Sequence, residues 1–268
     1  MDFLHQIKLS FSFYWRAFRF IETNNIWRLL VLPAVINLII AFLITVFAIK
    51  TSGVIVEFVL GNLKITNADQ EVHSFIEGFL LVVIRAFVFY LYLKVYRYLA
   101  LILLAPLFSI ISAKVQLIDS GIARTPCASN YFLGCSRGIK IAIRNFFIEI
   151  FLSTIIIIIC LLISWIIPLA PILILVLESY FMGYSMADYR NEYYSINSRQ
   201  SRKIITDYFG LVFGNGLLFN LFLLIPVIGV LFAPAFALIA SGLSINYLEK
   251  RKRILCNSDQ STLMMAES

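Results

Sequence analysis

Apolar runs long enough to cross a bilayer alternate with short charged segments along most of this chain, and the run lengths set the predicted elements. Trp27 to Ile49 is nearly unbroken in its apolar character. A helix needs about 20 such residues to cross roughly 30 Å of hydrocarbon, so this run is predicted to be the first spanning helix. Pro33 falls within its first two turns, where the loss of a backbone donor disturbs the ladder least. A second helix is predicted from Phe75 to about Gln116, kinked or broken at Pro106. At 1.5 Å per residue such a helix would reach about 60 Å, so part of it projects beyond the bilayer or bends along it.

Two further apolar stretches, Arg144 to Asp188 and Asp207 to Glu249, are folded about their middles by prolines. These are Pro168 and Pro171 in the first, and Pro226 and Pro234 in the second. Neither middle carries a charge, and two full crossings plus a polar turn would need more residues than either stretch supplies. Both are therefore predicted to be helical hairpins, over 139–190 and 203–250, with tips that stay in or near the membrane. Non-helical backbone at that depth is tolerated where protein or a watery cavity surrounds it. The hairpins also match each other. Tyr189 and Tyr247 each lie 21 residues past their Ile-Pro pair's proline, and Gly183 and Gly242 lie 15 and 16 past it. Paired Pro-interrupted segments of this kind point to a transport site.

Residues 7–20, IKLSFSFYWRAFRF, are amphipathic: Ile7, Phe11, Tyr14, Trp15 and Phe18 share one arc of a helix. A basic, aromatic helix of this kind lies in the headgroup plane, so residues 1–24 are predicted to be an interfacial helix. Charge then sets orientation. Basic residues outnumber acidic ones four to two over 1–28, five to one over 113–146, four to three over 188–207 and four to one over 249–253. The 51–74 loop holds three acidic residues and one basic. Basic segments mark the cytoplasmic side, which places the acidic loop outside and makes both hairpins enter from the cytoplasm. The predicted fold class is an all-α integral membrane protein: two long transmembrane helices (25–50 and 75–117) plus two proline-tipped, partly inserted helical hairpins. One domain covers 1–254, followed by a short polar tail, 255–268.

Composition supports the class and removes others. The 268 residues are 61% hydrophobic with a mean hydropathy of +0.91, far above soluble domains. The net charge of +7 is read as cytoplasmic-loop bias, and no nucleic-acid partner is expected because no basic stripe lies on a soluble fold. Cys127, Cys135, Cys160 and Cys256 contain no CxxC, and His5 and His73 are the only histidines. Neither a disulfide framework nor a metal site follows. No Ser-His-Asp or Cys-His set can be assembled, so no enzyme activity and no cofactor are expected. The first long apolar run begins only at Ile26 and no cleavage site follows it, so no signal peptide is expected.

Several local motifs, in order, resemble the CysZ-like sulfate permeases and their etoposide-induced relatives. Asn25-Ile26-Trp27-Arg28, leading to Leu32-Pro33 and Asn37, is similar to that family's Gly-φ-Arg-Arg…Leu-Pro…Asn opening. Ala105-Pro106-Leu107-Phe108 resembles its Ala-Pro-Phe, and Asp188-Tyr189 its Asp-Tyr. Ile225-Pro226, Pro234 and Ser241-Gly242 resemble its last hairpin. The resemblance covers about residues 10–250. It implies the two-helix, two-hairpin fold, sulfate or a related oxyanion as substrate, and homo-oligomers, while the Ile-, Phe- and Asn-rich usage and the expected lack of a targeting peptide point to a bacterial inner membrane, with the lipid bilayer as partner. The departures are Asn25 for the family glycine, Trp27 for one arginine, Ala113-Lys114 for an acidic position, and Arg190-Asn191 for Pro-Phe. They leave open a non-transporting membrane scaffold.

An oxyanion needs donors at small desolvation cost, and a helix N-terminus supplies free N–H groups and a positive dipole end. Asn24, Asn25, Trp27 and Arg28 therefore form the first candidate anion site, with an interfacial anchor as the alternative reading of Arg28 and Trp27. Arg85 is the second candidate, predicted about 15 Å into the second helix and either a substrate ligand or an ion pair with Glu77, Glu149 or Glu178. Lys94 and Arg97 are read as snorkelling side chains. Glu149 and Glu178 are available to basic partners, and Gly210-xxx-Gly214 as a close-packing motif.

Overall fold

The computed structural model describes residues 2–62, 70–121, 128–225 and 227–266. Pro226, predicted at a hairpin tip, and Lys64 and Asp69 of the predicted acidic loop lie outside the described residues. The helices are α1 (Phe3–Thr23), α2 (Trp27–Asn62), α3 (Gln70–Leu103), α4 (Ala105–Ser120), α5 (Ala128–Leu162), α6 (Ala170–Tyr193), α7 (Ser198–Asp207), α8 (Phe209–Leu223) and α9 (Ile228–Ala266). A 3₁₀ turn, Ser164–Leu169, joins α5 to α6.

One predicted boundary moves. The first helix does not stop at Ile49; α2 runs on to Asn62, with no proline after Pro33 to stop it. The Thr51 and Ser52 hydroxyls turn back onto the Phe47 and Ile49 carbonyls, at 2.8 and 2.9 Å, satisfying themselves within the helix. The break near Pro106 appears as expected: α3 and α4 part at Leu104, with the proline in the first turn of α4, where its missing N–H has no partner to lose.

The length argument fails for the first hairpin. Its arms offer spans of 27 residues (Ser136–Leu162) and 29 residues (Trp165–Tyr193), each above the roughly 20 needed. Counting from Arg144 left out the helical turns of α5 that precede it. In the second hairpin the first arm is short: α8 has 15 residues, about 22 Å, and α7 is bent 86° away from it. By length and composition, five described helices are able to cross a membrane, or six if α7 and α8 count as one span.

Helix α9 is the hub and packs against α1, α2, α4, α6 and α8. Its inner stretch is rich in small residues, with Ala233, Ala235, Ala237, Ala240, Ser241 and Ser244 all buried, which lets neighbouring backbones approach. The predicted Gly210-xxx-Gly214 packing is found: a Cβ at Gly210 would come within 2.8 Å of the Phe3 carbonyl, and one at Gly214 would collide with Ser10. Helix α1 thus lies on α8 and α9 through Gln6, Ser10, Phe13, Ala17 and Ile21. Phe11, Trp15 and Phe18 of the predicted apolar arc stay exposed, as an interfacial face requires. Tyr14 turns inward and donates to the Asn215 carbonyl at 2.9 Å. Burial pushes its phenol well above the usual pKa, so it remains a donor.

One polar contact inside the bundle follows from the prolines. Pro234 has no N–H, so in α9 the carbonyl four residues earlier, that of Val230, loses its helical partner. The buried Asn37 amide of α2 donates to that carbonyl, and its Oδ1 accepts from Tyr96 Oη of α3 at 2.9 Å. One side chain therefore closes a gap in another helix and ties α2, α3 and α9 together. Asn37→Leu is expected to destabilise the protein by about 1–3 kcal/mol, the cost of leaving buried polar atoms unpaired. Pro234→Ala in the same chain should recover part of that loss, because the restored N–H takes the Val230 carbonyl. Thermal unfolding of the single and double variants in detergent checks both statements.

Candidate functional site

Helix α3 carries Tyr90, Lys94, Arg97 and Tyr98 at helical spacings that place them along one side. That side meets α5 and, through its charged side chains, α6 and α8. Lys94 Nζ lies 3.0 Å from Glu149 Oε1 and 3.4 Å from Glu178 Oε1, and donates to Ser153 Oγ at 2.7 Å. Arg97 grips Glu178 with both ends of its fork: Nη1 to Oε2 and Nη2 to Oε1, each at 2.8 Å. Its Nη1 also donates to Asn220 Oδ1 at 3.0 Å. Tyr98 Oη donates to Glu149 Oε2 at 2.5 Å. All four charged side chains are at most 9% exposed.

The cluster is electrically neutral, two cations against two carboxylates, and it is deep. Glu149 is 13 residues from either end of its span, and Glu178 is 13 and 15 from the ends of its own. Charges at mid-helix in a membrane bundle are costly and mark pathways by default. Here nearly every polar atom has a partner, as a buried ionic group requires. A cavity of about 10 Å³, room for roughly one water, touches Arg97, Tyr96, Leu101 and Pro234. A second, also about 10 Å³, touches Leu101, Ser185 and Asp188. Leu101 forms the wall common to both.

A second polar network closes the end of the bundle beyond that second cavity. Asp188 accepts from Arg137 at 2.6 and 2.9 Å and from Ser201 Oγ at 2.5 Å. Arg190, where the resemblance implies proline, is buried and donates to Asn246 Oδ1, Asn191 Oδ1 and Glu249 Oε2 at 2.8–3.0 Å. Asn246 in turn reaches Gln116 and Asp119 of α4. The departure at Arg190 therefore comes with its own set of acceptors.

The residues picked from sequence lie elsewhere and do not meet. Asn25 occupies the left-handed region, φ 51°, at the turn between α1 and α2. That is the conformation a glycine adopts freely and asparagine adopts better than most, which accounts for Asn25 at the family's glycine position. The Asn24 amide is taken by the Phe20 carbonyl at 2.8 Å. Trp27 packs against Phe18, Phe232 and Phe236, so the residue at the lost arginine position is an aromatic anchor. Arg28 is exposed in the first turn of α2. Arg85 is exposed too, on α3. Since Asn37 and Tyr96 bond across antiparallel helices, Arg85 lies about 30 Å along the bundle from Arg28.

Two sequence readings are corrected here. Arg85 is exposed and is not the partner of Glu149 or Glu178, which pair with Lys94 and Arg97. Lys94 and Arg97 are not snorkels: they lie 9 and 6 residues before the end of α3 at Leu103, yet turn inward to Glu149 and Glu178. Glu149 and Glu178, left as available carboxylates, are their partners. Part of the signal was in the sequence: Glu149 and Glu178 each stand midway along an apolar run with no polar boundary nearby to reach, which calls for buried cationic partners.

No curated protein matches the chain closely enough to compare. The family described as sulfate transporter CysZ/etoposide-induced protein 2.4 matches residues 13–234, a stretch that takes in the α1–α2 corner, the whole ion cluster and Pro234. The chain is therefore a membrane protein with several apolar helices that belongs to the sulfate transporter CysZ/etoposide-induced protein 2.4 family.

Proposed function

We propose that this protein is a multi-pass permease for sulfate or a related oxyanion, assembled as a homo-oligomer in a bacterial inner membrane. The observation that carries the reading is the neutral Lys94–Glu149–Glu178–Arg97 cluster at mid-helix depth. A purely structural bundle gains little from burying two ion pairs, since well-packed apolar residues serve as well or better. A transporter of divalent anions gains a waiting pair of cations. An oxyanion beside Arg97 presents the same acceptors as the Glu178 carboxylate, so the guanidinium fork can pass from one to the other without standing unpaired. The water-sized cavities on either side of Leu101 describe a closed path, which must widen to pass such an ion.

The anion's first contact is placed at the start of α2. Asn24 and Asn25 shape the turn, Trp27 anchors it, and Arg28 presents its charge to solvent beside the helix N-terminus. Arg85, at the far end of the bundle, is a separate basic position. Uptake of labelled sulfate into proteoliposomes should exceed that of empty vesicles, and failure by correctly folded protein would sink the permease reading. Arg28→Ala should weaken sulfate binding in titration calorimetry about tenfold to a hundredfold, the value of one charge-assisted bond. Unchanged affinity would move first contact away from α2. The second reading, a membrane scaffold without transport, draws on Trp27, whose half-buried ring packs against three phenylalanines where the family's motif has an arginine.

A further inference from the structure

Helix α1 leaves two lines of side chains exposed beside each other. Phe11, Trp15 and Phe18, spaced by four and three residues, form an aromatic line. They are 50%, 60% and 37% exposed. Trp15 stacks on Phe18 at 5.7 Å, and Phe18 meets Trp27 edge-on at 6.1 Å, so the ring surface continues to the start of α2. Arg16 and Arg19 each follow one of these aromatics by a single residue. They therefore stand on a second line, turned about 100° around the helix from the first, and both are exposed.

The two arginines are neighbours on one helix and are held by rings. Positions 16 and 19 are one turn apart, which puts their Cβ atoms about 5–6 Å from each other. Arg16 Cζ lies 4.9 Å from the Phe13 ring centre and 5.6 Å from that of Tyr247 on α9. Phe13 and Tyr247 are themselves 5.6 Å apart, so this contact belongs to the packing of α1 on α9. Arg19 Cζ lies 5.5 Å from the Trp15 ring centre. Arg16 is thus held on the α9 side of the basic line and Arg19 on its aromatic side, and a headgroup lying between them meets both. A guanidinium resting on a ring keeps its N–H edge free to donate. Among the described residues, neither arginine makes an ion pair, not even with Glu22 one turn past Arg19.

We propose that Arg16 and Arg19 form a seat for the phosphate of an anionic phospholipid, whose acyl chain lies along Phe11, Trp15 and Phe18. Charge and apolar surface together choose this occupant. A phosphodiester suits a guanidinium fork, and the aromatic line beside the forks suits the boundary between headgroups and hydrocarbon. A zwitterionic headgroup carries its own cation, which two unpaired guanidinium groups repel, whereas phosphatidylglycerol brings a negative charge with nothing to offset it. The inference is independent of the permease reading, since it concerns lipid on the outer side of α1. The test is native mass spectrometry of the purified protein in mild detergent, with added phosphatidylglycerol or phosphatidylcholine. Phosphatidylglycerol should bind in clear preference. Arg16→Gln should weaken it about fivefold, and Arg16→Gln with Arg19→Gln about thirtyfold, one basic contact each. Both changes are at exposed positions, so the fold should hold. Lys114→Gln, exposed on α4, should change nothing, and an equal loss there would reduce the effect to bulk charge and overturn the seat. Equal binding of the two lipids, full affinity in the double variant, or displacement of the lipid by inorganic phosphate would each overturn it as well. The last result would make the site one for free oxyanions.

Discussion

Glu178→Leu should abolish sulfate uptake and lower stability by about 3–5 kcal/mol, the usual consequence of removing one partner from a buried ion pair. The substitution leaves Arg97 with Asn220 alone and gives the cluster a net charge of +1 deep in the bundle. The informative variant is the double one. Glu178→Leu with Arg97→Leu restores neutrality, leaves Lys94 with Glu149, and fills the gap with apolar volume. It should regain most of the lost stability while uptake stays at background. Thermal unfolding in detergent and proteoliposome uptake, run on the same preparations, separate the two roles. A double variant that transports like the parent would reduce the cluster to a structural staple. A Glu178→Leu protein as stable as the parent would show that the pair is not coupled at all.

Lys94 serves as the contrast within the same cluster. It has two carboxylate neighbours, Glu149 at 3.0 Å and Glu178 at 3.4 Å, plus Ser153. Among the described residues, Arg97 makes its one ion pair with Glu178. Losing Glu178 therefore leaves Lys94 paired and Arg97 exposed to any anion that arrives. On the permease reading, this asymmetry makes Arg97 the cation to test for a change of partner, with Lys94 and Glu149 as the fixed half.

The sequence disclosed the helices more readily than their faces. Apolar run length predicted the first two long helices but undercounted the first hairpin, while Pro106 predicted the α3–α4 break because its effect is local to the backbone. The end of α2 was misread, since a lone Lys50 and two hydroxyl residues look like a boundary but are easily accommodated in a helix whose hydroxyls bond back to its own carbonyls. Lys94 and Arg97 were misread for a different reason. Whether a long cationic side chain reaches outward or turns inward depends on what the neighbouring helices offer, and Glu149 and Glu178 are 55 and 81 residues away along the chain from the cations they hold. Asn37 shows the same limit. Its place in a motif was visible, but its role appears only when Pro234, on another helix, leaves the Val230 carbonyl in need of a donor.

A second large structural effect is expected at Gly216. Helices α6 and α8 approach through a reciprocal pair: a Cβ on Gly216 would fall on the Ser179 carbonyl oxygen, and one on Gly183 on the Val212 carbonyl oxygen, both well inside van der Waals contact. The obstacles are backbone atoms, so no side chain can rotate away. Gly216→Ala must push the helices apart and should cost about 3 kcal/mol, with Gly216→Val yielding little folded protein. Gly53→Ala is the control. Nothing lies within 4 Å of a Cβ there, and replacing a helical glycine should gain about 0.5–1 kcal/mol. The functional consequence comes from what the two helices carry. Asn220 is one turn past Gly216 and bonds both Ser179 Oγ, at 3.2 Å, and Arg97. Separating α8 from α6 removes those contacts together, so the Gly216→Ala protein that does fold should lose sulfate uptake out of proportion to its abundance. Size-exclusion profiles and unfolding temperatures report the packing, and uptake per folded molecule reports the link to Arg97. Normal uptake per molecule would mean that α8 moves without disturbing the cluster.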